Sequence, residues 1–152
     1  MIIAQAEGEL CVAPLVASMA GKLMLSTFRI GDSPKRGEGL RIGTTRLPPR
    51  GVPKPRWKSG GYFDVWLPTV APSLALVRWI KQRDLNDPKT RRTYFTRYER
   101  ELSINSSARQ TIQLLAELAK RTPISIGCYC ADESRCHRSA LRRAIERLAK
   151  NS

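Results

Sequence analysis

The run Ile124-Ser-Ile-Gly-Cys128-Tyr-Cys130-Ala-Asp-Glu-Ser-Arg135-Cys136-His137-Arg138-Ser139 sets the reading of the whole chain. Ile124, Ile126, Cys128 and Cys130 alternate with Ser125, Gly127 and Tyr129, which is the two-residue period of a β-strand. No charge interrupts residues 124–130, so the strand is expected at the centre of a sheet with both faces covered. A tight polar loop follows, and then a helix from about Ser134 to Lys150. Its apolar stripe is Leu141, Ala144, Ile145 and Leu148. In open α/β sheets ligands gather at the carboxyl ends of strands. A helix start adds free N–H groups and a positive dipole end.

Upstream, Pro123 stops a helix capped at Ser107, with Ile112, Leu115 and Leu118 on one face. Asp87-Pro88 pairs an N-cap acid with a proline at the first helical position, and starts a helix that runs to about Leu102. Pro72 to Arg83 forms another, through Leu76, Val77 and Ile80. Toward the N-terminus, Lys22–Ile30 and the alternation of Leu40, Ile42 and Thr44 read as strands, separated by a turn at Gly31–Gly39. Leu47–Gly61 holds four prolines and three glycines, which excludes a regular helix or a central strand and predicts a long loop. Tyr62–Leu67 reads as a short strand or an extended stretch. The expected fold is α/β: a small layered arrangement of a mostly parallel sheet flanked by helices, with a helix-rich middle.

A chain of 152 residues fits one domain. With 41% hydrophobic and 26% charged residues, it is neither disordered throughout nor fibrous. No run of about 20 apolar residues is present to span a bilayer. Cys11–Ala20 is mildly apolar, but Glu7 and Glu9 precede it where a signal peptide needs basic residues. Residues 1–23 carry one lysine and two glutamates, whereas residues 24–60 carry nine basic and two acidic side chains. Residues 1–23 are therefore expected to be a leader, disordered or a non-native extension, and residues 24–152 a single domain. Three of the four cysteines fall within residues 128–136, in a chain long enough to build a core without disulfides. That points to a reducing cytoplasm. A formal charge of +14 favours an anionic partner: nucleic acid, nucleotide phosphate or acidic lipid.

At the expected helix start, Arg135, His137 and Arg138 supply charge-assisted donors. A thiolate at Cys136 would be favoured by the dipole and by the arginines. His137 is the only histidine and the natural general acid–base candidate. A phosphatase or rhodanese cradle asks for cysteine, five residues, then arginine. From Cys130 the sixth position is Cys136, and from Cys128 it is Ser134, so that spacing fails. A zinc site could draw on Cys128, Cys130, Cys136 and His137, but the Cys-x-Cys and adjacent Cys-His spacings are poor for it, so no metal is expected, and no cofactor is implied. The bland alternative is a pair of buried strand cysteines beside a basic helix start. Earlier in the chain, Arg46 and Arg50 flank the proline-rich loop and suit bidentate phosphate recognition, unless they brace that loop instead. Trp57 and Tyr62 lie where they would stack on bases, while Trp66 and Trp79 read as core. Arg91-Arg92 reads as a solvated helix face.

Three stretches together resemble a bacterial family known as domain of unknown function 488. The first is Arg41 to Gly51, similar to that family's strand and its Asp-Arg-Leu-Trp-Pro-Arg-Gly signature. The second is Trp66, Ala71-Pro72-Ser73, Phe95, Tyr98, Glu101 and Leu102, and the third is Cys136-His137-Arg138. Thr45 stands where the signature has its acid and Pro48 where it has tryptophan, while Arg46 and Arg50 are kept. The resemblance implies a small α/β domain and no established activity. The leading reading is a phosphate-bearing ligand, nucleic acid or nucleotide, held between Arg46–Arg50 and the cluster of Cys130, Arg135, Cys136, His137 and Arg138. A cysteine-dependent enzyme using Cys136 or Cys130, and an interaction module without catalysis, are the alternatives.

Overall fold

The computed structural model describes residues 21–151, so the expectation of a leader falls almost wholly outside the described residues. Four strands make one all-parallel sheet: β1 (Leu25–Arg29), β2 (Leu40–Gly43), β3 (Val65–Trp66) and β4 (Ile124–Cys128), in the order β1-β4-β2-β3. The helices are α1 (Pro55–Ser59), α2 (Leu74–Lys81), α3 (Pro88–Ile104), α4 (Ser106–Arg121) and α5 (His137–Asn151). Short 3-10 turns lie at Pro68–Val70 and Glu133–Arg135. This is the α/β fold anticipated from the alternation of strands and helices.

β4 is central, as its uncharged run requires. Leu25 and Leu40 both pair with Ile124, and every residue of β4 is buried. The parallel register brings the carboxyl ends of all four strands to one edge. One face of the sheet, with Leu25, Ile42, Ile124 and Ile126, packs on α2 to α5 through Leu76, Tyr98, Ile112, Leu115, Leu141 and Ile145. The other carries a smaller cluster of Phe28, Ile30 and Phe63, covered by Trp57, Tyr62 and Trp66. Buried Arg41 lies 4.0 Å over the Phe28 ring. Glycine is required at Gly43 and Gly127, where a Cβ would run into the rings of Phe63 and Phe28. No helix among the described residues is long and apolar enough to cross a membrane.

Several boundaries differ from the sequence reading, each for a local reason. The proline-rich loop contains one short helical turn, α1, because Pro55 sits at its start, where no N–H is needed. α4 begins at Ser106, with Asn105 rather than Ser107 as its cap. β4 ends at Cys128, so Tyr129 and Cys130 leave the ladder. α5 starts at His137 rather than Ser134, because the Asp132 carboxylate captures Ser134 N–H and forms the 3-10 turn instead. Leu23, assigned to the leader from sequence, packs against the core.

Candidate active site

The turn between β4 and α5 reverses the chain tightly. Cys136 N–H donates to Glu133 O at 3.0 Å, which brings Cys136 back beneath the end of the strand. Cys128 and Cys130, two apart on an extended chain, share a side. The result is three sulfur atoms within 4.8 Å of one another. Cys128 S–H donates to Cys130 Sγ at 3.8 Å. All three are free thiols. Cys128 and Cys136 are buried and Cys130 is exposed.

Two residues of the first turn of α5 hold this cluster in place. Arg138 is only 4% exposed. Its Nη1 donates to Cys130 O at 2.9 Å and to Phe28 O and Cys128 O at 3.2 Å, which are carbonyls at the ends of β1 and β4. His137 Nε2 lies 2.8 Å from Thr44 O, and since a carbonyl can only accept, Nε2 carries the proton. Thr44 Oγ1 in turn donates to Gly127 O at 2.9 Å. The remaining His137 Nδ1 lone pair faces Cys136 Sγ at 3.8 Å. The ring stands edge-on to Tyr98, with centroids 5.4 Å apart.

Negative charge concentrates on one sulfur. Hydrogen bonds from the Cys128 and Cys136 thiols, together with the positive charge of Arg138, hold Cys130 well below the ordinary thiol range against the opposing effect of burial. The same hydrogen bonding, with burial, raises Cys128 and Cys136. Burial pushes His137 down to about 4, so its imidazole is neutral at neutral pH. Of the candidates read from sequence, then, Cys136 and His137 lie inside the protein and Cys130 faces out.

The other arginines are placed differently. Half-buried Arg46 donates from Nε to Pro72 O at 2.8 Å and from Nη2 to Ala71 O at 2.6 Å. Beside them, Ser73 binds Glu101 through its N–H (2.9 Å) and its hydroxyl (2.5 Å), and Tyr98 OH donates to Val70 O. The Ala-Pro-Ser, Tyr and Glu run thus ties α2 to α3, with Arg46 as its brace. Arg50 is exposed. Exposed Arg135 pairs with Asp132 at 3.1 Å and bonds Asn86. Glu133 accepts from Thr27 Oγ1 at 2.6 Å. Trp57 is packed edge-on between Phe63 and Trp66, and its Nε1–H donates to Val52 O. Thr45, at the position of the signature acid, donates to Leu47 O.

Two residues of this edge, Thr44 and Tyr98, escaped the sequence reading as site residues, since neither carries a catalytic signal of its own. Cys128 was weighed there both as a zinc ligand and as strand core. No curated protein and no solved structure matches the chain significantly. Residues 25–149 match the DUF488-N3a family model, described as the active DUF488-N3 subclade. That match runs from β1 through the cysteine turn and nearly to the end of α5, and the chain belongs to the DUF488 family.

Proposed function

We propose that this chain is a cysteine-dependent enzyme in which Cys130 attacks an electrophilic substrate at the carboxyl edge of the sheet. The observation that carries the reading is the exposure of one sulfur backed by two buried ones, with the Cys128 thiol 3.8 Å behind it. Thiol donors and a fixed guanidinium favour the thiolate, which is the nucleophilic form. In the step, Cys130 Sγ bonds to the electrophilic atom and the leaving group departs with its electron pair. Arg138 positions the nucleophile by holding the Cys128 and Cys130 carbonyls. His137 takes no proton from Cys130 in this scheme, because its Nε2 is committed to Thr44 O.

The test is limiting alkylation by iodoacetamide of reduced, chelator-treated protein, read by peptide mass spectrometry. Cys130 should react first, and faster than in the same chain unfolded in guanidinium. Alkylation of Cys130 at or below the unfolded rate overturns the reading, as does Cys136 reacting first.

A second reading, binding of a phosphate-bearing ligand such as nucleic acid or a nucleotide, is supported by residues 47–61. Arg50, Lys54, Arg56 and Lys58 are exposed there and no acid interrupts them. The sheet edge supports it less, because Arg46 and Arg138 already donate to main-chain carbonyls.

A further inference from the structure

We infer that Cys128, Cys130 and Cys136 form a binding site for one zinc ion, with a fourth coordination position open on the exposed side of Cys130. The sequence argues against zinc, because Cys-x-Cys and an adjacent Cys-His pair are poor ligand spacings. Folding removes that objection. Residues two apart at the end of an extended strand present both sulfurs to one side, and the 3-10 turn returns the third. His137 is not needed as a ligand, since its Nε2 is turned to Thr44 O.

The dimensions fit. Zinc–sulfur bonds of about 2.3 Å at tetrahedral angles place sulfurs about 3.8 Å apart. Cys128 and Cys130 are already at 3.8 Å, and the third sulfur lies within 4.8 Å of both. Thiolates select thiophilic ions over magnesium or calcium, and zinc imposes no geometric preference of its own. The surroundings also suit a metal. Three thiolates and Zn²⁺ leave one net negative charge. Buried Arg138 supplies the compensating positive charge, and its Nε has no hydrogen-bond partner among the described residues. Its bonds to Cys128 O and Cys130 O fix the main chain of two ligands, the usual task of groups just outside a metal's own ligands. Among the described residues three protein ligands leave the fourth position free, which marks an exchangeable rather than a closed site. This inference stands apart from the nucleophile reading, because bound zinc would occupy the sulfur that is otherwise free to attack.

The experiment uses the full chain, reduced and chelator-stripped under anaerobic conditions, then titrated with Zn(II) against a chromophoric chelator and separately with Co(II). One equivalent of Zn(II) should bind, and Co(II) should give an intense thiolate-to-metal absorption with tetrahedral d–d bands. Cys128→Ala and Cys136→Ala should each weaken Zn(II) by more than about tenfold, the lower end of what even a change beyond the ligands costs a metal site. Absence of a stoichiometric Zn(II) complex, a Co(II) spectrum without thiolate bands, or unchanged affinity in a folded Cys136→Ala variant overturns the inference. Should either alanine variant fail to fold, the Co(II) spectrum of the unaltered chain decides. Alkylation of Cys130 in the stripped protein is read separately, so failure of one idea leaves the other intact.

Discussion

His137 Nε2 donates to the main-chain oxygen of Thr44 at 2.8 Å, joining the start of α5 to the end of β2 across 93 positions of chain. The bond fixes one neutral tautomer, and burial keeps it neutral.

A pH dependence of stability follows. Burial pushes His137 from 6.5 to about 4. Between these values the unfolded chain binds a proton that the native chain does not, so stability falls as pH drops through that window. Above about pH 6.5 the contribution is fully present, and its size is roughly 3 kcal/mol at about 1.4 kcal/mol per unit. His137→Gln, which keeps a donor for Thr44 O, should flatten this part of the profile. Urea denaturation of both proteins between about pH 4 and pH 7 measures the difference, and parallel profiles would refute the assignment.

Arg138 makes a different prediction. Its guanidinium satisfies carbonyls at the ends of two adjacent parallel strands. Arg138→Met keeps much of the bulk and removes the charge-assisted donor to these carbonyls, although Cys128 O still accepts from Ile30 N–H at 2.9 Å. Hydrogen bonds from a charged group contribute about 1.5–3 kcal/mol. The expected loss is about 1.5–3 kcal/mol, with Arg138→Lys intermediate because an ammonium is not a planar fork. A midpoint within experimental error of the parent in guanidinium would contradict this.

How much of this was legible beforehand depends on what each signal measured. The uncharged run 124–130 located the central strand because burial on both faces leaves a compositional mark. Asp87-Pro88 located the start of α3 because capping is local chemistry, and the structure shows Asp87 accepting from Lys89 N and Thr90 N. The start of α5 was misplaced by three residues because two local signals compete there, a helix start and an Asp132 turn. The role of Arg138 was hidden for another reason. An arginine near cysteines reads as an anion ligand, and nothing in sequence says that strand-end carbonyls will claim it first. The cysteine trio was set aside as a zinc set because ligand-spacing rules describe knuckles and helices, not the end of a strand folded back by a 3-10 turn.

The paired glycines of the sheet give a packing prediction. A Cβ at Gly43 would meet the Phe63 ring at 2.5 Å, and one at Gly127 would overlap the Phe28 ring. Both rings belong to the small cluster on the face away from α3–α5, so neither can retreat without moving Ile30 or Trp57. Gly43→Ala and Gly127→Ala should each lower stability by about 1–3 kcal/mol, the range for overpacking. Thermal melts check it, and a neutral Gly127→Ala would mean that Phe28 has room to turn.

Arg46 and Arg50 lie four positions apart and carry the same family signature, yet they should respond in opposite ways. Arg46 spends its guanidinium on Ala71 O and Pro72 O, the residues that lead into α2. Arg46→Ala should therefore lower stability by about 1.5–3 kcal/mol, the span for hydrogen bonds to a charged group. Arg50 is exposed, and an exposed side chain without such a task changes stability by no more than about 0.5 kcal/mol. Arg50→Ala should leave the melting temperature where it was. The same pair tests the anion-binding reading. If the loop cations contact phosphates, Arg50→Ala should weaken binding of a duplex oligonucleotide and lower the salt slope by about one, the contribution of a single phosphate contact. Arg46→Ala, measured below its melting transition, should leave that slope unchanged. Equal slopes for Arg50→Ala and the unaltered chain would remove Arg50 from any phosphate contact, and a destabilised Arg50→Ala would show that it braces the loop as Arg46 does.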